Sequence, residues 1–325
     1  MVAVARTSGR PVSPVAWRHR GCYFRDQVRM KLLFVHAHFD DYEFTAAGTF
    51  ELWHRKLGEE VERRVLVCTD GGAGHHRMNR EETAQRRLRE QEASARLGNF
   101  DFRLLTDSKG VAFPEARLAT SPDFLPSLWR EIRDFEPDYL FCPPIPGSTL
   151  AGVHVDHLNV AEAVRSVAYM INVPHAFTLE YPDGGGDARP VRTPVILNTY
   201  DGYMAGEHGH DLAIEITEVA DLVADLAWCH TSQLTEWLPW VDRHNLSTPA
   251  NAAAWRPQFR DVVARRKRAL RIEVQGLFEV FLVTAWGTVP RMEQLIRDFP
   301  ALSAGASALD RLAARLDEWR ASSGE

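Results

Sequence analysis

The chain has 325 residues, 45% hydrophobic and 25% charged, with ordinary proline and glycine numbers (18 and 21); this balance excludes disordered and collagen-like architectures. Lysine and arginine number 38 against 44 aspartates and glutamates, and the net charge of −6 opposes any general affinity for nucleic acid or an anionic membrane. No apolar run approaches the roughly 18 residues of a membrane span. Cys22, Cys68, Cys142 and Cys229 lie far apart with no CxxC pair, which excludes a disulfide scaffold or thiolate zinc site and fits a reducing, cytoplasmic compartment.

Residues 1–29 show no period and no secretory pattern, and read as a loosely ordered N-terminal arm. KLLFVHAH (31–38) is a buried-strand run, followed by helical spacing of Phe44, Ala47, Leu52 and Leu57 within Glu43 to Leu57. RRVLV gives a second strand, ending in the glycine-rich CTDGGAG (68–74). Asn79 to Gly98 predicts a helix with Gly98 just past its end, and DFRLL (101–105) a third strand. A helix over Phe124 to Phe135, stopped by Pro137, leads to a fourth strand in DYLFCPP and a helix beginning DHLNVAEAV. Strands alternating with helices imply an α/β fold: a three-layer, Rossmann-like, mainly parallel sheet flanked by helices. Extra strands (PVILNTYDGY, DLAIEI, EVFLVTAW) and helices (Glu218 to Leu238, Phe259 to Ile272, Leu309 to Trp319) follow in the C-terminal part. YPDGGGDARP (181–190) is the most obvious flexible loop. Functional residues should gather at the carboxyl ends of the strands.

HAHFDD (36–41) puts two imidazoles and two adjacent carboxylates where the first strand should end. Buried charges cost several kcal/mol unless paired or metal-bound, so a core strand does not end this way without a task. A dinucleotide-binding turn would need GxGxxG, and no glycine follows this strand before Gly48. GVHVDH (152–157) follows another strand and opens a helix; one of His154 and His157 can bind a metal while the other faces substrate. Joined with His38 and Asp41, this makes an N, N, O donor set that leaves a water position open, the composition of a catalytic zinc site.

HAHFDD resembles the AHPDD signature, and GVHVDH the HPDH signature, of the PIG-L (LmbE-like) family of metal-dependent N-deacetylases. Further matches are CTDGGAG, ARLG (95–98), LLTDSKG (104–110), EPDYLFCPP (136–144) and HTSQ (230–233), so the resemblance spans roughly residues 30–235. It implies one domain over 30–325, poorly matched from about 240. It also implies His38, Asp41 and His157 as metal ligands, Asp40 as general base, and His154 as proton donor or oxyanion stabiliser with Asp156 orienting it. Arg87 and Asp107 match substrate-binding positions. The chain departs from the pattern at Phe39 and Val155, where proline is usual, and directly after the paired aspartates, where an acid is usual and this chain has Tyr42 and then Glu43.

The implied activity is hydrolysis of an N-acyl group, most naturally N-acetyl, from an amino-sugar or natural-product substrate, with one Zn2+ per chain and Fe2+ as the alternative ion. The expected partner is a small N-acylated molecule, without nucleic acid or membrane span; oligomeric state is left open. Two other readings stand beside it: an amidase on a non-sugar or thiol-conjugate amide, and a non-catalytic metal-binding module. A nucleotide-binding protein is disfavoured by the absent glycine fingerprints. His36 reads as a packed neighbour of His38, with a rival metal ligand as the alternative; His230 reads as a packing histidine, and His75 and His76 as exposed, with substrate contact as the alternative. Trp237, Trp240 and Trp255 read as core, with an aromatic wall for a sugar as the sharper alternative.

Overall fold

The computed structural model describes residues 30–177, 179–181, 189–204, 207, 209–242 and 247–323; the expected N-terminal arm and most of YPDGGGDARP lie outside the described residues. In chain order the elements are β1 (Met30–His36), α1 (Asp41–Thr45), α2 (Ala47–Leu57), β2 (Val61–Val67), α3 (Arg80–Gly98), β3 (Asp101–Leu104), α4 (Phe124–Phe135), β4 (Tyr139–Cys142) and α5 (Val155–Met170). They continue as β5 (Val195–Thr199), β6 (Leu212–Glu215), α6 (Ala220–Trp228), α7 (Leu238–Val241), α8 (Ala252–Ala269), β7 (Phe278–Val283), α9 (Met292–Asp298) and α10 (Leu309–Ser323). Among the described residues no helix is long and apolar enough to cross a membrane.

The strands form one seven-stranded sheet in the order β3-β2-β1-β4-β5-β7-β6. Pairings from β3 through β5 are parallel, whereas β7 runs antiparallel to both β5 and β6. Alternate residues of β1 enter opposite cores: Leu32 and Phe34 pack with Phe50, Trp53, Trp255 and Phe259, and Leu33 and Val35 with Phe124, Leu128, Val160 and Val164. A strand covered on both faces must be apolar throughout, which is why KLLFV lacks an alternating pattern. Chain order reverses between β1 and β4, and a crevice opens outside the carboxyl ends of strands at such a reversal. HAHFDD and GVHVDH follow these two strands.

Four local expectations are corrected. The helix over Glu43 to Leu57 breaks at Ala46, whose φ of −144° separates α1 from α2. The restarted N-terminus is capped from β7: Glu279 accepts from the Gly48 and Thr49 N–H groups at 2.8 and 2.7 Å. Gly98 is still helical; Asn99 takes the left-handed cap position (φ 50°), and the glycine is required because a Cβ there would stand 2.8 Å from the Phe100 ring. The helix over Glu218 to Leu238 is interrupted after Trp228 and continues through a wide π-type turn at Gln233–Trp237. Finally, α8 begins at Ala252, seven residues before the expected start, because the Asn251 side chain accepts from the Ala254 N–H.

Glu279 is buried, and its removal strands two helix N–H groups. Glu279→Ala should therefore lower unfolding stability by about 3 kcal/mol, with Glu279→Gln costing less, in urea titrations. A change within about 0.5 kcal/mol for the alanine variant would show that the cap does not hold α2.

Candidate metal centre

Beyond β1 the chain turns sharply at Asp40, a non-glycine residue at φ 88°. Such backbone costs on the order of 1–3 kcal/mol and must be held by its surroundings. Here Thr69 donates from its N–H and hydroxyl to the Ala37 carbonyl, and Arg87 Nη2 donates to the Phe39 carbonyl at 2.7 Å. Gly71 (φ +68°) lies so close that a Cβ would sit 2.5 Å from the Phe39 ring. Phe39, in place of the usual proline, thus packs against the glycine-rich loop.

The turn aims His38 and Asp41 at His157, in the first turn of α5. His38 Nδ1 is 3.1 Å from His157 Nε2, and Asp41 Oδ2 is 3.5 Å from each. A tetrahedral ion with arms of about 2.1 Å sets its donors about 3.4 Å apart, so the three atoms fit one. Two further donor groups lie within 4.8 Å: His38 with His154 and His157, and His36 with Asp41 and His157. The far ring nitrogens choose among them, since an imidazole presents a lone pair only opposite its N–H. His38 Nε2 bonds Asp156 Oδ2 at 3.1 Å and His157 Nδ1 bonds Asp201 Oδ2 at 2.8 Å, leaving His38 Nδ1 and His157 Nε2 as lone pairs. His36 instead donates Nδ1–H to Asp41 Oδ2 at 2.5 Å, and so holds the carboxylate. His154 Nδ1 accepts from the Asp156 N–H at 3.2 Å, which puts its own proton on Nε2.

Electrostatics agree with a cation. Burial opposes charge on both rings, yet Asp156 and Asp41 carry His38 up to about 9, and Asp41 and Asp201 carry His157 up to about 10. Imidazoles that take up protons so readily mark a centre short of positive charge. Asp41 lies well below the ordinary range because, against burial, His36 and His157 favour its ionised form. Its neighbour moves the other way: burial, with the Asp41 charge, pushes Asp40 up to about 6 despite Arg87. Burial and the neighbouring imidazoles pull His154 below its ordinary value.

The expected residues are thus brought together unequally. His38, Asp40, Asp41, His154, Asp156 and His157 converge. Asp156 meets His154 through its backbone N–H, while its carboxylate, 4.0 Å from His154 Nδ1, bonds His38 and accepts from the Ala116 and Leu118 N–H groups. Arg87 is buried beneath the turn, 3.5 Å from Asp40 Oδ1 and 3.3 Å from Glu115, and supports Asp40 from below. Asp107 accepts from the N–H groups of Lys109 and Val111 in its own turn, and makes no hydrogen bond or ion pair with the centre among the described residues. His230 is a packing histidine, 3.3 Å from buried Glu43. His75 is a correction: its side chain is buried, accepting from the Arg77 and Met78 N–H groups. Trp255 is core, whereas Trp237 and Trp240 stack on each other and Trp240 on His76.

Two residues escaped sequence reasoning. Asp201 follows β5, and the rule that function gathers at carboxyl ends of strands could have found it in NTYDGY. Glu115 carries no such signal. It comes from the irregular chain after β3, accepts from the Ala73 and Gly74 N–H groups at 2.6 and 3.1 Å, and lies 3.7 Å from His38 Nε2.

Residues 33–168 match the sequence profile of the family described as PIG-L, GlcNAc-PI de-N-acetylase. This segment is similar to the PIG-L family. Both donor loops lie inside it, while Asp201 lies beyond. No curated protein matches the chain. Among solved structures, the N,N'-diacetylchitobiose deacetylase of Pyrococcus horikoshii is 20% identical with a TM-score of 0.58, covering 79% of this chain and 84% of that one. A conserved protein of Thermus thermophilus (17%, TM-score 0.55, 80% and 96% covered) and the 4-carboxy-2-hydroxymuconate hydratase of Pseudomonas putida (15%, 0.53, 78% and 96%) are also similar. At these identities the likeness is one of fold, and a fold shared by a deacetylase and a hydratase does not choose a reaction.

Asp201→Ala frees His157 to turn and should weaken retention of Zn2+ about 10- to 100-fold in chelator competition. Asp107→Ala in the same assay should change it less than about twofold, and equal losses in both would refute the supporting role of Asp201.

Proposed function

We propose that the chain is a zinc-dependent N-deacetylase acting on a small N-acylated molecule, with residues 30–325 as one domain. The carrying observation is the donor set itself: His38, Asp41 and His157 at 3.1–3.5 Å, each held by a further side chain, from loops at the strand-order reversal. The PIG-L segment directs the reading towards amide hydrolysis, and the free thiols of Cys68, Cys142 and Cys229 suit the reducing, cytoplasmic compartment proposed from the sequence. Zn2+ is favoured by the N, N, O donors, with Fe2+ as the other ion they accept.

A divalent ion held by these residues would supply Lewis acidity, lowering the pKa of a water towards about 7 and polarising the acyl carbonyl. Asp40 takes the proton of the attacking water, a task suited to a carboxyl whose burial brings it nearer neutrality. His154, with its proton on Nε2, donates to the carbonyl oxygen as negative charge builds there. As the C–N bond breaks, the proton held by Asp40 passes to the leaving nitrogen, giving a carboxylate and a free amine. Arg87 keeps Asp40 aimed throughout, acting as a positioning residue.

Asp40→Asn should keep about one zinc per chain and lose about 10²–10⁴-fold in turnover, whereas His157→Ala should lose the metal. Metal analysis and acetate release from a panel of N-acetyl sugars and N-acetyl amino acids check both. Full activity of the Asp40 variant would overturn the base assignment, and metal-loaded protein inert on the whole panel would overturn the deacetylase reading.

A further inference from the structure

A cavity of about 400 Å³ lies against the donor set on the side of α8, its wall running from Asp41 and His157 past Tyr200 and Tyr203 to Arg265 and Arg266. Its size is that of a small-molecule pocket. Arg266 is only 6% exposed. Its Nη2 donates to the Phe44 carbonyl and its guanidinium stands 4.8 Å over the Tyr200 ring, but among the described residues Nε and Nη1 have no hydrogen-bond partner. The acid that acts on it most, Glu279, has both oxygens taken by Gly48 and Thr49. Burial accordingly pulls the arginine below its ordinary pKa.

A buried guanidinium with open donors costs several kcal/mol, and proteins tolerate one where an anion completes it. Both ends of the cavity are built from the same two segments. Phe44, which anchors Arg266, is three residues from Asp41 on α1, and Tyr200 adjoins Asp201, which holds His157. Arg265 is exposed and adds a second positive charge at the mouth. We propose that Arg266, aided by Arg265, binds a carboxylate or phosphate of the substrate, so that the enzyme acts on acidic N-acyl compounds whose anionic group and scissile amide fit one small cavity. The inference rests on the deacetylase reading and names its substrate class.

The test uses zinc-loaded enzyme with three probes: N-acetylglucosamine, its 6-phosphate, and the carboxylate-bearing N-acetylmuramic acid. At least one acidic probe should exceed the neutral one about tenfold or more in kcat/KM. Arg266→Gln should erase that advantage while changing the neutral probe less than about threefold. Because a buried arginine variant can fail to fold, Arg265→Glu provides a second arm and should shrink the advantage through KM alone. Which acidic probe gains tells phosphate from carboxylate. Calorimetric binding of glucosamine, glucosamine 6-phosphate and muramic acid gives a readout independent of turnover. Acidic ligands bound more tightly by wild type than by Arg266→Gln, with no acyl release from any probe, would keep the anion site and sink the deacetylase reading. Hydrolysis without preference for acidic probes, unchanged by either variant, would sink the anion site and leave that reading intact.

Discussion

One carboxylate oxygen, Oδ2 of Asp41, organises the centre. It accepts from His36 Nδ1 and the His38 N–H at 2.5 and 2.7 Å, and lies 3.5 Å from both His38 Nδ1 and His157 Nε2. Each neighbour is fixed from behind, His38 by Asp156 and His157 by Asp201. Donors so held need little rearrangement to receive an ion, and their separations are set by the sheet, not by flexible side chains. The strained Asp40 turn belongs to the same device, because it joins β1 to α1 between His38 and Asp41.

Those two aspartates are chemically divided by what they face. Asp41 meets imidazoles and stays ionised; Asp40 is buried against Arg87 and is pushed up to about 6. Pairs whose environments push their pKa values apart are a common way to separate a permanent ligand from a group that moves protons. Glu115 ties Arg87 to the glycine-rich loop and draws that loop over the turn, while Gln233 of HTSQ donates to the Gly74 carbonyl from the other side. HTSQ therefore acts on the centre through the loop that it supports.

The C-terminal part, beyond the PIG-L segment, is integral to this arrangement. β7 supplies Glu279 to cap α2, the chain after β5 supplies Asp201, and α8 supplies the cationic wall of the cavity. The same sheet carries Glu279 and leads into Asp201, since β5 ends the parallel part and β7 and β6 extend it.

Local pattern sufficed for much of this protein. Apolar runs and helix stops located β1, β2, β4 and α4, because burial on both faces and a proline stop act within a few residues. Two carboxylates and two imidazoles at a strand end stood out as a candidate site, because charge does not enter a core unpaired. The order of the strands, which sets β1 beside β4 and so brings His38 to His157 across 119 residues, has no local signature. Nor do Glu115 and Arg266, ordinary polar residues in the chain that act through space. They gain meaning only when packing removes water around them and chooses their partners, a choice made by contacts far apart in sequence.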